Sequence, residues 1–304
     1  MAAPQQPTPA SLSEDAVTNP PRADHSIETP SGKWSGSENF PVGSWLLPAR
    51  LRPHVMAFYG FARAADDIAD NASLSPDEKL DRLDLFEAAL LGEVPDSPAL
   101  ARAVGLRASL AETGVTTAHA VDLLAAFKQD AVKQRYGDWE DLMDYCGKSA
   151  SPVGRYLLDL HGEARSDWPP SDALCIALQV INHLQDCQAD YRSLDRVYLP
   201  QDWLEAAGTN VAALEGSSAS VGMRIVLDNC LNGVDRLLRQ ARRLPFAMRD
   251  RGLGYESAAI LALAERLAAK LRAGDPIAGR VALRKPAMAI TALGGILRRI
   301  RGYW

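Results

Sequence analysis

The sequence predicts an all-α fold, and three observations carry that expectation. Ala and Leu dominate its apolar residues, while Val, Ile and aromatic side chains are comparatively sparse, with 7% aromatic. That balance favours helix over sheet. After about residue 37, apolar residues recur at intervals of three and four, the period of a helix face. No stretch alternates apolar and polar residues as a half-buried strand does, and no internal repeat stands out.

The elements follow in order. Residues 1–36 hold Pro4, Pro7, Pro9, Pro20, Pro21 and Pro30 among Ser, Thr and Gln. Such a segment buries too little apolar surface to offset its ordering entropy, so a disordered tail is expected, followed by one domain over 37–304. A first helix should run from about Pro53 to Asp70, its proline in the first turn, where the missing N–H has no helical partner anyway. Asn71-Ala-Ser-Leu-Ser-Pro76 ends it. Further helices are expected over 77–91, 97–112, 116–134 and 138–161. Trp168-Pro169-Pro170 should break the chain, with Ser171 capping the next helix. A looser segment spans about 192–218, and helices are expected over 219–243, 254–273 and 286–300.

Composition narrows the function classes. With 47% apolar and 23% charged residues the chain can bury a sizeable core. A formal charge of −5 leaves no footprint for nucleic acid. The charge is uneven, however. No acidic residue follows Asp275, whereas Arg280, Arg284, Lys285, Arg298, Arg299 and Arg301 do, beside Ile296, Leu297, Ile300, Tyr303 and Trp304. This combination would suit an anionic membrane surface, with a plain solvated tail helix as the leading alternative. Cys146, Cys175, Cys187 and Cys230 form no CxxC pair and are expected as reduced, packed thiols. The five histidines lack zinc-ligand spacing. No apolar run reaches the ~18 residues of a membrane span, and no basic-then-apolar leader opens the chain. The expectation is a cytoplasmic protein, with peripheral contact at the inner face of the membrane.

Two acidic stripes point to chemistry. Tyr59, Arg63, Asp66 and Asp70 are spaced by four, three and four residues and share one helix face. Gln179, Asn182, Asp186 and Asp190 form a second stripe at three, four and four. Both run through otherwise apolar helices, where carboxylates are unfavourable unless paired or coordinated. An isolated Asp-Asp-x-x-Asp is more often a solvated face; two stripes with matching polar neighbours are not explained that way. Magnesium takes oxygen ligands, commonly one or two carboxylates completed by water and phosphate oxygens. Two such helices facing each other would clamp a diphosphate, and the apolar remainder of the cavity would receive a carbocation. Arg63 would add a cation near the leaving group, and the faces of Tyr59 and Phe40 would stabilise positive charge.

Arg63-Ala-Ala-Asp66-Asp67-Ile-Ala-Asp70 and Leu178-Gln179-Val-Ile-Asn182-His-Leu-Gln185-Asp186-Cys-Gln-Ala-Asp190 resemble the two signature motifs of the squalene/phytoene synthase family. The resemblance runs from about Ser37 to Pro200 and includes Leu46-Leu47-Pro48 and Arg196-Val-Tyr198-Leu199-Pro200. It implies an isoprenoid-synthase helical bundle with a central cavity, magnesium dependence and diphosphate substrates. Through it, Asp66, Asp70, Asp186 and Asp190 become the metal-associated acids, and Arg63, Gln179 and Asn182 line the substrate site.

The departures refine this expectation. Family members that condense two prenyl diphosphates usually carry a Tyr-Cys-Tyr segment whose second Tyr handles a proton. This chain reads Tyr145-Cys146-Gly147-Lys148, and a glycine can neither accept nor return a proton. Gln185 and Ala189 also depart from the second motif. With Glu38-Asn39-Phe40-Pro41-Val42 and the segment from Lys148 to Gly154, the chain resembles the hopanoid-associated subgroup. Its hydroxysqualene synthases ionise presqualene diphosphate and capture water, which requires magnesium but no NADPH. A presqualene diphosphate synthase would then be the partner that supplies the substrate. The alternatives are a complete squalene or phytoene synthase and a non-catalytic scaffold of the same fold. Lys148 is a candidate diphosphate ligand or a solvated lysine; Arg196 either closes over diphosphate or pairs with Asp195 or Asp202. Gln129 and Asp130 either line the cavity mouth or cap the packing. His183 is expected to be structural. Glu38, Asn39 and Tyr145 are unranked candidates for activating water.

Overall fold

The structure, a computed structural model, describes residues 46–304, and within them the named elements are helices. The tail expected at 1–36, with Glu38, Asn39 and Phe40, lies outside the described residues. The chain runs through α1 (Arg52–Ala69), α2 (Pro76–Leu91), α3 (Ala101–Thr113), α4 (Ala118–Val132), α5 (Trp139–Ser149) and α6 (Ser151–Leu160). It continues through α7 (Trp168–Leu194), α8 (Gln201–Ala206), α9 (Val221–Ala241), α10 (Leu244–Ala247), α11 (Arg251–Ala273) and α12 (Lys285–Arg301).

Local chemistry sets these limits. Ser75 caps α2 by accepting from Glu78 N while the Glu78 carboxylate accepts from Ser75 N, and Pro76 starts the helix. Asp138, Ser220 and Asp250 cap α5, α9 and α11 through their side-chain oxygens. The helix expected over 138–161 is two helices. Pro152 lies in the first turn of α6, where it has no N–H to continue α5, and the chain bends at Ala150. The expected cap at Ser171 is also corrected. Helix α7 begins at Trp168 with its prolines in the first turn and no side-chain cap; two prolines that would break a helix interior are suited to its start. The segment expected to be loose at 192–218 carries the end of α7, α8 and a short 3-10 turn at Val211–Glu215.

Packing puts the two stripes on opposite walls. Helix α1 packs on α2, α3 and α4, while α7 packs on α6, α9 and α11, with α4–α6 joining the two groups. Phe61 of α1 is fully buried and stacks on Phe86 of α2 at 4.9 Å; truncation to alanine there costs about 3–5 kcal/mol. Helices α6 and α7 approach closely because residue 154 is glycine: a Cβ would come within 2.4 Å of Ser171 Oγ. An isolated parallel bridge joins Arg135 to Val197, tying the loop after α4 to the loop after α7. All four cysteines are free, as expected, and burial pushes the Cys175 and Cys187 thiols up to about 12.

Candidate active site

Between α1 and α7 lies a cavity of about 540 Å³, within the size range of ligand pockets. All eight stripe residues line it: Tyr59, Arg63, Asp66 and Asp70 from α1, and Gln179, Asn182, Asp186 and Asp190 from α7. Along α1 the wall changes character. Val55 and Phe58 come first, and Asp66 follows eleven residues after Val55, ~16 Å along a helix. The two stripes make part of the wall acidic, Leu123, Phe127, Leu157 and Ile260 give it apolar surface, and Asp130, Tyr145, Ser149 and Glu256 add further polar groups. Phe58 stacks on Tyr156 at 4.1 Å, fixing two aromatic rings in that wall.

Cations sit among the acids. Arg63 donates to Asp66 and Asp67, each at 2.7 Å. Arg280 approaches Asp186 at 3.7 Å from the loop before α12. Gln185, one of the departures from the family pattern, holds that loop by donating to Val281 O at 2.6 Å. Sequence reasoning did not single out Arg280 for the site, because nothing in the spacing says that residues 186 and 280 are neighbours.

Arg196 pairs with neither Asp195 nor Asp202. Asp195 closes α7 in the left-handed conformation, at φ 49°, and pairs instead with Arg135 at 2.5 Å. An aspartate tolerates that conformation better than most residues, and the turn sends Arg196 inward. There Arg196 is buried, donating to Asp70 at 2.9 Å and to Asp130 O at 3.0 Å. The bridge to residue 135 places Tyr198 in the same spot. Asp130, 4% exposed, accepts from Tyr145 Oη at 2.6 Å and from Tyr198 Oη at 3.1 Å. Burial raises its carboxyl to about 6, against the opposing pull of Arg196 and the Tyr145 hydrogen bond.

His183, expected to be structural, lines the cavity. Its ring stacks on Tyr198 at 3.5 Å, and Nε2 is buried without a hydrogen-bond partner. Burial, and then Arg196, push its pKa down to about 3, so the ring is neutral at physiological pH. Lys148 is exposed on α5 and is not among the residues lining the cavity, as the solvated one of its two readings has it. Gly147 has open space around it, with nothing within 4 Å of where a Cβ would stand. Packing therefore does not require glycine there.

The donors on the two stripes are oxygen atoms, which suits magnesium rather than a softer ion. Among the described residues no three His, Cys, Asp or Glu side chains gather closely enough to hold an ion unaided. Substrate oxygens and water would have to complete the shell, as magnesium commonly requires.

With the geometry established, comparison with known proteins identifies the family. The family model described as "Squalene/phytoene synthase" matches residues 35–287. The chain is 45% identical to a hydroxysqualene synthase from Rhodopseudomonas palustris, over 90% of this chain and 92% of that one. It is 46% identical to one from Zymomonas mobilis, over 83% of this chain and 84% of that protein. A crystal structure of a squalene synthase from Alicyclobacillus acidocaldarius superposes with a TM-score of 0.67 at 31% identity, covering 76% of this chain and 87% of that chain. The chain belongs to the squalene/phytoene synthase family and is an enzyme of that family.

Proposed function

We propose that the enzyme converts presqualene diphosphate and water into hydroxysqualene and diphosphate, using magnesium and no NADPH. The observation that carries the reading is the meeting of two acidic stripes on one cavity that apolar side chains also line. The relatives named hydroxysqualene synthase support this particular reaction, and so does Gly147, which has no side chain to handle the proton of a condensation step.

Asp66, Asp70, Asp186 and Asp190 would hold magnesium against the diphosphate, and the bound metal would neutralise charge on the departing group. Arg63 and Arg196 would take phosphate oxygens once the acids beside them turn to the metal. Gln179 and Asn182 would orient the substrate from α7. Cleavage of the C–O bond leaves a cyclopropylcarbinyl cation, which Phe58, Tyr59 and Tyr156 would hold by their ring faces. Rearrangement then ends in water capture. Tyr145 is the residue we assign to that step: it lines the cavity, and its hydroxyl already donates to Asp130. Water adding to the cation becomes a strongly acidic oxonium. Its proton would pass to the Tyr145 oxygen as the Tyr145 proton passes to the Asp130 carboxylate. A presqualene diphosphate synthase would supply the substrate, and peripheral contact with the inner membrane surface would suit a C30 product.

Purified protein given presqualene diphosphate is expected to release diphosphate and a C30 alcohol with magnesium present and NADPH absent. Formation of presqualene diphosphate, squalene or phytoene from farnesyl or geranylgeranyl diphosphate by this protein alone would replace the reading with a complete synthase.

A further inference from the structure

Helix α12 carries a row of aliphatic side chains on its exposed side. Ile290, Leu293, Leu297 and Ile300 are 73%, 56%, 40% and 60% exposed, and Tyr303 just beyond them is 53% exposed. Intervals of three, four and three residues put the four aliphatic residues on one face. The side turned to the protein is built differently. Gly295 is buried against α11, where a Cβ would stand 2.3 Å from Ala258 O. Arg299 donates to Pro245 O at 2.6 Å and covers the Tyr255 ring at 4.5 Å, while Arg298 pairs with Glu265 at 3.1 Å. Arginines thus hold the helix to the protein, and the aliphatic residues point away. A helix on a protein surface normally turns its aliphatic residues inward, and a contiguous outward apolar patch marks an interaction surface.

Charge selects the occupant. No acidic residue follows Asp275, and Arg284, Lys285 and Arg301 are exposed at the two ends of the helix. A second copy docked through this face would bring those cations together with no carboxylate to pair them. The five outward side chains also expose on the order of 500 Å², short of the roughly 800 Å² per partner that a stable dimer buries. An anionic bilayer answers both points: its headgroups pair the cations, and the aliphatic stripe enters the acyl boundary. At 17 residues α12 is ~25 Å long. No helix among the described residues is long and apolar enough to cross a membrane, so this one would lie flat.

We propose that the outward face of α12 docks the enzyme on an anionic lipid bilayer. Arg280 lines the cavity and α12 begins five residues later in the chain, so a single short loop links the docking helix to the cavity wall. The docking rests on the proposed reaction only for its purpose, which is to exchange a C30 substrate and product with the bilayer.

The test is co-sedimentation of the full chain with extruded vesicles of phosphatidylcholine alone or mixed with phosphatidylglycerol, in which no turnover is needed. Binding is expected only to the anionic vesicles and should weaken with salt. Neutralising Arg284, Lys285 and Arg301 to Gln should reduce partitioning by ~100-fold, at about fivefold per basic residue. Ile290→Glu with Leu297→Glu should abolish it with thermal unfolding unchanged, since both residues are exposed. Either of two results overturns the proposal: wild-type protein left in the supernatant, or the double variant binding like wild type. A wild-type dimer that this double variant dissociates, with no vesicle binding, would assign the face to a second copy instead. Loss of turnover with vesicle binding intact would refute the reaction and leave the docking standing.

Discussion

Asp130→Asn separates two forces that act on one buried carboxylate. Burial lifts its pKa from an ordinary 3.8 to about 6, and Arg196 and Tyr145 only partly oppose that. The folded protein therefore holds this proton more tightly than the unfolded chain does. The contribution of Asp130 to stability is greatest below about pH 4 and is lost as the pH rises through about 6. At about 1.4 kcal/mol for each pH unit of that gap, the loss is ~3 kcal/mol. Asparagine keeps the shape and an oxygen for the Tyr145 hydroxyl, and it does not titrate. The unfolding free energy of the variant minus that of wild type should thus rise by ~2–3 kcal/mol between pH 4 and pH 7. Urea unfolding followed by circular dichroism across that range measures it. A difference that changes by less than ~1 kcal/mol would refute the argument that desolvation dominates. A difference that falls with pH would show that the Arg196 interaction outweighs burial.

Three further outcomes are expected. Tyr145→Phe should still release diphosphate but shift product from alcohol to hydrocarbons, read by gas chromatography; unchanged alcohol yield would exclude the Tyr145–Asp130 pair from water capture. Gly295→Ala should destabilise by about 1–3 kcal/mol, because its Cβ meets Ala258 O at 2.3 Å, whereas Gly294→Ala, with nothing within 4 Å, should not. Equal melting temperatures for these two variants would contradict the close approach of α12 to α11. Lys148→Ala should leave KM unchanged, while Arg63→Gln should raise it or lower kcat by 10-fold or more, since charged contacts to a substrate contribute about 1.5–3 kcal/mol.

What was legible in the sequence was what depends on neighbours along the chain. Helical periodicity exposed α1 and α7, and Asp at i and i+4 exposed the two stripes, because a helix puts such residues on one face whatever surrounds it. Proline was harder to read. Pro152 ends one helix and starts another, and Pro169 and Pro170 open a helix where a break was expected, since the same ring is tolerated in a first turn and excluded from an interior.

The sequence by itself determined the helical class and the acidic stripes. The tertiary structure alone decided that both stripes share a cavity with Asp130, Tyr145, His183, Tyr198 and Arg280. Tyr198 and Asp130 are 68 residues apart, and no periodicity connects them. The bridge between residues 135 and 197 and the left-handed turn at Asp195 bring Arg196 and Tyr198 back against α4. Likewise, composition shows a basic, apolar C-terminus, but which side of α12 faces outward is set by Gly295 fitting against Ala258. The physical reason is common to both cases: local spacing fixes which residues share a face, and long-range packing fixes what that face meets.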